Sequence, residues 1–309
     1  MPFSDLSVSA SLISFACGLS ETALPFLISL EFDLIQTELL ILMNFTIITA
    51  SLNYGRFLGE CLESVATQEG VTLQHLVIDG GSTDHSAAVA ARFPHAVWTQ
   101  EPDQGMSDAI NKGFDRAKGE WVMWLNADDR LKPGTLAAML PLLEKSEADI
   151  VFGDWDFIDE TGAHQRHVTA PKWSRFVHVH HHCYVGSTAA FYRRGSVISE
   201  GFRLREDFRY AMDSEFYARL DASGKRFEHV SSNVADFRMH GGNLSQRNHG
   251  KTRDMDRILA AERQYVESRS VRRMYGITLF RDPYLNGLVD GILWILAKGW
   301  KFILRRFIL

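Results

Sequence analysis

Cysteine is scarce in this 309-residue chain, where Cys17, Cys61 and Cys183 stand far apart with no CxxC pair. An odd count without paired spacing argues against a disulfide framework or a thiolate zinc site, and a reducing cytoplasm is the expected setting. Positive charge is missing from the start, since no Lys or Arg precedes Arg56. A secretory leader needs a basic beginning, and a membrane span needs about 20 apolar residues; Glu21, Glu31, Asp33 and Glu38 interrupt this stretch. The net charge of −5 leaves no basic field for a polyanion, so nucleic acid is not an expected partner. No GxGxxG follows the first strand-like run and no GxxxxGKS/T occurs anywhere, which counts against dinucleotide dehydrogenases and P-loop NTPases.

What is present is ordinary globular material, 46% hydrophobic and 23% charged, enough to close a large core. Residues 1–43 are expected to be an ill-ordered N-terminal extension or an upstream mis-start, with Met43 immediately before the first convincing strand. Residues 44–245 read as the main α/β domain, 246–283 as a helical linker and 284–309 as a basic amphipathic helix. In that tail Lys298, Lys301 and Arg305 recur at i, i+3 and i+7 beside Arg306, with Trp294 and Trp300 as interfacial anchors. The pattern suits a helix lying on the inner membrane face, and equally a terminal helix packed on the domain or half of a dimer contact.

From Phe45 onward, short β-branched runs alternate with amphipathic segments. Phe45-Thr46-Ile47-Ile48-Thr49 predicts a buried strand, and Phe57, Leu58, Cys61, Leu62 and Val65 then repeat on one helical face. Strands are expected at Leu76–Ile78, Ala96–Trp98, Trp121–Leu125 and from Ile150, with helices over Ala87–Arg92 and Ala109–Ala117 and another whose first turn holds Pro133. The alternation predicts a mostly parallel, doubly wound, Rossmann-like sheet whose ligands bind beyond the carboxyl ends of the strands.

Those ends carry Ala50-Ser51-Leu52-Asn53, Asp79, and Asn126-Ala127-Asp128-Asp129. Two adjacent carboxylates after a buried strand suit a hard cation, Mg²⁺ or Mn²⁺, that bridges diphosphate oxygens. The same four residues would also cap a helix, and taken alone they favour the cap.

The combination carries more. Phe45–Asn53 (FTIITASLN), Val77–Asp84 (VIDGGSTD), Asp103–Gly113 (DQGMSDAINKG), Gly119–Asp129 (GEWVMWLNADD), Met212–Leu220 (MDSEFYARL) and Phe237–Ser245 (FRMHGGNLS) occur in order. Over residues 44–245 the chain resembles the inverting family 2 glycosyltransferases of GT-A fold, most of all members that build bacterial surface polysaccharides of colanic acid or O-antigen type. The resemblance implies a nucleoside diphosphate sugar as donor and a glycan or lipid-linked acceptor. It implies that Asp79 accepts a hydrogen bond from the donor's base, that the backbone of Ala50 and Ser51 meets the nucleoside, and that Asp108 faces the donor sugar. Bland readings stand beside these: a turn carboxylate for Asp79, a solvated first-turn acid for Asp108. Gly80 stands where the family often has a second Asp. Asp128 would meet the ribose or the metal and Asp129 the metal itself, while Asn126 replaces a frequent third carboxylate.

Asp213 is the expected catalytic base, the one group an inverting transfer needs to take the proton from the acceptor hydroxyl. Glu215 would lie on another side of the helix, and Asp207 is the rival. His178, His180 and His182 are expected to share one face of a strand lining an acceptor pocket, rather than to hold zinc. His240 resembles part of a late family motif that closes over the donor and completes the metal shell, and it would otherwise be an ordinary loop histidine.

Two other functions remain at this point. A nucleotidyltransferase would need a Gly-rich, Arg- or Lys-bearing loop after the first strand, which Ala50–Gly55 lacks. An inactive sugar-binding or scaffold protein would have no need of Asp129 and Asp213.

Overall fold

The computed structural model describes residues 43–180, 183–243, 261–262 and 264–265. The expectations for residues 1–42 and 284–309, and most of that for 246–283, therefore fall outside the described residues.

Four parallel strands form the first half of the sheet: β1 (Phe45–Ser51), β2 (Leu73–Asp79), β3 (Ala96–Gln100) and β4 (Trp121–Trp124). They are joined by α1 (Gly55–Ala66), α2 (Ser86–Ala90) and α3 (Met106–Arg116). Every residue from Phe45 to Thr49 is fully buried, because helices cover the strand on both faces and polar alternation has no solvent side to serve. Packing is tight where α3 crosses β1. A Cβ on Gly113 would stand 2.4 Å from Ile48 Cγ2, so the glycine lets helix and strand close together.

The second half mixes directions. It contains β5 (Arg130–Leu131), α4 (Thr135–Lys145), β6 (Ile150–Asp159), β7 (His164–Val168), α5 (Arg175–His180), β8 (Ala190–Arg193), α6 (Met212–Ala222) and β9 (Phe227–Met239). The strand order is β3-β2-β1-β4-β8-β6-β9-β5, with β7 paired to β6. β8 runs antiparallel to β4 and β6, whereas β6 and β9 are parallel. The α/β sheet is thus mixed and mostly parallel. Its core is aromatic beneath the site: Trp124 stacks on Tyr192 at 5.1 Å between centroids, and Tyr192 and Tyr217 hydroxyls meet at 2.9 Å.

Two local expectations change. Pro133 precedes the helix rather than entering its first turn, because Gly134 intervenes in a left-handed conformation (φ 67°) as the N-cap of α4. The segment that holds His178 is helical, not a strand. Arg175–His180 forms α5, and buried His178 donates from Nε2 to the carbonyl of Ser214, 2.9 Å away, inside a wall made by Trp173 and Tyr217. Its Val-His-Val-His alternation imitates a strand's period, and tertiary packing against α6 overrides it. The side chain of His180, together with His181 and His182, lies outside the described residues. Among the described residues no helix is long and apolar enough to cross a membrane.

Candidate active site

A cleft opens at the carboxyl ends of β1 and β4. Ala50, Asn126 and Asp128 line it together with Tyr210, Asp213 and Asn243. The loops after β1 and β2 are cross-linked at its edge. Asn53 adopts a left-handed φ of 59° and its side-chain carbonyl accepts from the backbone of Thr83 at 2.9 Å and of Asp84 at 3.2 Å. Asn tolerates that conformation where most residues do not.

The two carboxylates of the turn after β4 do different things. Asp129 is almost fully buried; its Oδ1 accepts from Arg238 N–H at 2.8 Å and its Oδ2 from the Asn126 amide at 2.8 Å. Burial, followed by the nearby Asp128, raises its carboxyl well above the ordinary carboxylate range. Asp128 lines the cleft. Its Oδ2 accepts from His240 Nε2 at 2.9 Å and from the Asn243 amide at 3.1 Å. His240 Nδ1 accepts the Gly242 N–H at 3.1 Å, so the neutral ring carries its proton on Nε2, facing Asp128. In this arrangement the imidazole orients a carboxylate; ligating a metal through Nε2 would take the other tautomer, with the proton on Nδ1 and the Gly242 bond given up. Among the described residues no three His, Cys, Asp or Glu side chains cluster to hold a metal ion.

Asp79 is fully buried. Its Oδ1 accepts from Gly81 and Ser82 N–H at 3.0 and 2.7 Å, and its Oδ2 from the Ser82 hydroxyl at 2.5 Å. In this structure the Asp79 carboxylate is enclosed by the turn it belongs to. Gly80 makes room for a neighbour: a Cβ there would stand 2.4 Å from Asp103 Oδ2. Asp108 accepts the Gln104 N–H at 2.8 Å and pairs with Lys112 at 3.2 Å, the work of a first-turn acid in α3. At the end of β1, Ala50 reaches the cleft, and the buried Ser51 hydroxyl has no partner.

Asp213 is the second residue of α6, half-buried, with Oδ1 accepting the Ser214 N–H at 2.7 Å. Asp207 is exposed and held by Arg205, away from the cleft, and Glu215 is buried against Arg219 at 2.9 Å. Motif residues on α3 steady the approach to α6: buried Asn111 exchanges two hydrogen bonds with the backbone of Leu204, at 2.9 and 2.8 Å.

A family model described as "Glycosyl transferase family 2" matches residues 46–201. The chain belongs to glycosyl transferase family 2. It is a nucleotide-sugar-dependent glycosyltransferase with the GT-A fold. A PGL/p-HBAD biosynthesis glycosyltransferase of Mycobacterium tuberculosis is 32% identical over 209 residues, covering 64% of this chain and 78% of its own. Glycosyltransferase GlyG of Streptococcus pneumoniae is 30% identical over 114 residues, 35% of this chain and 38% of its own. Among solved structures, S. aureus TarS 1–349 in complex with UDP-GlcNAc superposes with a TM-score of 0.59 at 16% identity, covering 82% of this chain and 79% of its own. The Pyrobaculum calidifontis mannosyltransferase PcManGT in complex with GDP-Man and Mn²⁺ gives 0.50 at 17% identity, covering 84% and 83%.

For this family 2 glycosyltransferase the structure adds residues that sequence reasoning passed over. Arg238 is completely buried; its Nε donates to Asp128 O at 2.8 Å, Nη1 to Glu160 O at 3.2 Å and Nη2 to Glu60 at 2.6 Å. Asn243 bonds Asp128 and also the carbonyl of Arg238 at 2.9 Å. Both sit in the FRMHGGNLS stretch already singled out, so the motif carried the signal, but its histidine drew attention from its neighbours. Tyr210 lies in a loop without sequence pattern, and nothing in the chain's periodicity marked it.

Proposed function

We propose that this glycosyltransferase moves the sugar of a nucleoside diphosphate sugar to a hydroxyl of a glycan or lipid-linked acceptor, with inversion at the anomeric carbon. The observation that carries the proposal is that Asp128, from the turn after β4, and Asp213, from the start of α6, line the same cleft. One belongs to the donor side and the other to the acceptor side of such a transfer. Asp213 takes the proton from the acceptor hydroxyl while that oxygen bonds to the anomeric carbon and the bond to the diphosphate breaks on the opposite face. Ala50 and the unpartnered Ser51 hydroxyl support a nucleoside seat at the end of β1.

We assign the metal to Asp128 rather than to the expected Asp129. Asp129 has both oxygens occupied by structural donors, whereas no described protein group bonds Asp128 Oδ1. A single carboxylate with the donor's diphosphate oxygens fits Mg²⁺ or Mn²⁺, which are commonly held by one or two carboxylates plus phosphates. The cation, when bound, stabilises charge developing on the leaving diphosphate. The mannosyltransferase bound to GDP-Man and Mn²⁺ supports this reading, and the relatives named for PGL/p-HBAD biosynthesis support a cell-surface pathway. In that setting the basic pattern of 284–309 holds the enzyme at the inner membrane face.

Calorimetric binding of UDP-GlcNAc and GDP-mannose with and without Mn²⁺ tests the donor side. At least one donor should bind in a metal-dependent way, and Asp128→Ala should weaken it by about tenfold or more. Binding indifferent to both Mn²⁺ and Asp128 would contradict the assignment.

A further inference from the structure

Helix α6, which presents Asp213, starts without a capping side chain of its own. Ala211 is its N-cap residue and supplies only a backbone carbonyl. The amides entering a helix need acceptors, and a buried helix start lacking them is destabilised. The N-cap amide of Ala211, together with the Arg209 and Tyr210 amides just before the helix, finds its acceptor some fifty residues later in the chain. The carboxylate of Glu262, itself 7% exposed, accepts from Arg209 N–H at 2.7 Å and from Tyr210 and Ala211 N–H at 2.9 Å each. Three consecutive amides converge on one side chain.

The same short stretch is tied a second time. Residues 261–262 and 264–265 are helical; the Tyr265 hydroxyl bonds Arg205, whose guanidinium lies 4.6 Å from the Tyr265 ring centre and 4.7 Å from that of Phe208. Beneath, Ser107 on α3 donates to Met212 Sδ at 2.9 Å. The turn 205–212 is thus held from below by α3 and from outside by residues some fifty positions later in the chain. Arg209, Tyr210 and Met212 from this turn, and Asp213 directly after it, all line the cleft.

We propose that Glu262 is a positioning residue for the transfer: by gathering the amides of Arg209, Tyr210 and Ala211, it fixes the height and direction at which α6 delivers Asp213 to the acceptor. The inference rests on the reading of Asp213 as the base. A carboxylate suits the task better than an amide, because both oxygens accept and the negative charge faces the positive end of α6. In Glu262→Gln the side-chain NH2 would oppose backbone N–H donors, so the turn relaxes without an overpacked or emptied core. A base displaced by about 1 Å costs on the order of 100-fold in rate while the donor seat on β1 and β4 is untouched.

The test compares the full-length wild type with Glu262→Gln, Glu262→Ala and Asp213→Asn by three measurements. These are hydrogen exchange at residues 209–211, binding of UDP and of GDP with Mn²⁺, and nucleoside diphosphate release from a panel of UDP- and GDP-sugars. The expected result for Glu262→Gln is faster exchange confined to 209–211, with turnover reduced roughly ten- to hundredfold and nucleotide affinity within about threefold of wild type. Wild-type exchange or wild-type turnover in Glu262→Gln overturns the inference. So does a parallel loss of nucleotide binding, which marks a merely structural role. If Glu262→Ala fails to fold, the Gln variant decides alone. Where Asp213→Asn keeps full turnover, the base assignment fails by itself; where Asp213→Asn is inactive and Glu262→Gln is unaffected, the role of Glu262 fails by itself.

Discussion

His240 donates from Nε2 to Asp128 Oδ2 across 2.9 Å, joining the end of β9 to the turn after β4. The ring is held over Phe57 at 4.7 Å between centroids, and Asn243 completes the grip on the same oxygen. His240→Ala should leave Asp128 held by Asn243 alone and weaken binding of UDP or GDP with Mn²⁺ by roughly tenfold, with His240→Gln recovering part of the loss. Calorimetry on the three proteins checks it; unchanged affinity in His240→Ala would remove the orienting role.

Arg238 underlies that site. Replacing it by Met leaves the buried carbonyl oxygen of Asp128 without its donor, while Glu60 is exposed enough to be hydrated. Arg238→Met is expected to cost about 3 kcal/mol in urea denaturation, with nucleotide binding lost alongside.

Gly119 stands at the start of β4 against the neighbouring strand, where a Cβ would meet the Phe45 carbonyl carbon at 2.2 Å and Thr46 N at 2.4 Å. Backbone cannot yield as a side chain can. Gly119→Ala should lower stability by about 2 kcal/mol or more, whereas Gly195→Ala, with nothing within 4 Å, should stay within about 0.5 kcal/mol. Melting curves of both variants measure the contrast.

His75 is fully buried, bonded to Thr49 Oγ1 at 3.0 Å, and burial followed by neighbouring His95 pushes its pKa down from 6.5 to about 3. The folded protein therefore keeps His75 neutral while the unfolded chain takes up a proton below about 6.5. Its contribution to stability falls as pH drops from that value toward 3, by up to about 1.4 kcal/mol per pH unit. Between pH 7 and pH 5 the wild type should lose about 2 kcal/mol more than His75→Gln in urea denaturation. Equal losses would contradict the neutral, buried state.

Much of this was legible in the chain itself. Buried runs such as Phe45–Thr49 and Trp121–Leu125 announce covered strands, and polar residues after each strand place the site. The pattern fails where distance in sequence does the work. Asp128 and Asp129 are adjacent and chemically identical, and only the contacts of Arg238, His240 and Asn243, more than a hundred residues away, decide which faces the cleft. The place of Asp79 after β2 is plain in the sequence, but its bonds to the Gly81 and Ser82 amides are not. His178 follows a two-residue period and still folds into α5, because Trp173, Tyr217 and the carbonyl of Ser214 offer a better partner than any sheet edge.

The proposed role of Asp213 is to remove the acceptor's proton while the rest of the cleft holds the donor. It is tested most directly by measuring turnover and donor affinity together in Asp213→Asn. The rate should fall by about 100-fold or more with donor affinity within about threefold of wild type. Wild-type turnover in Asp213→Asn would contradict it.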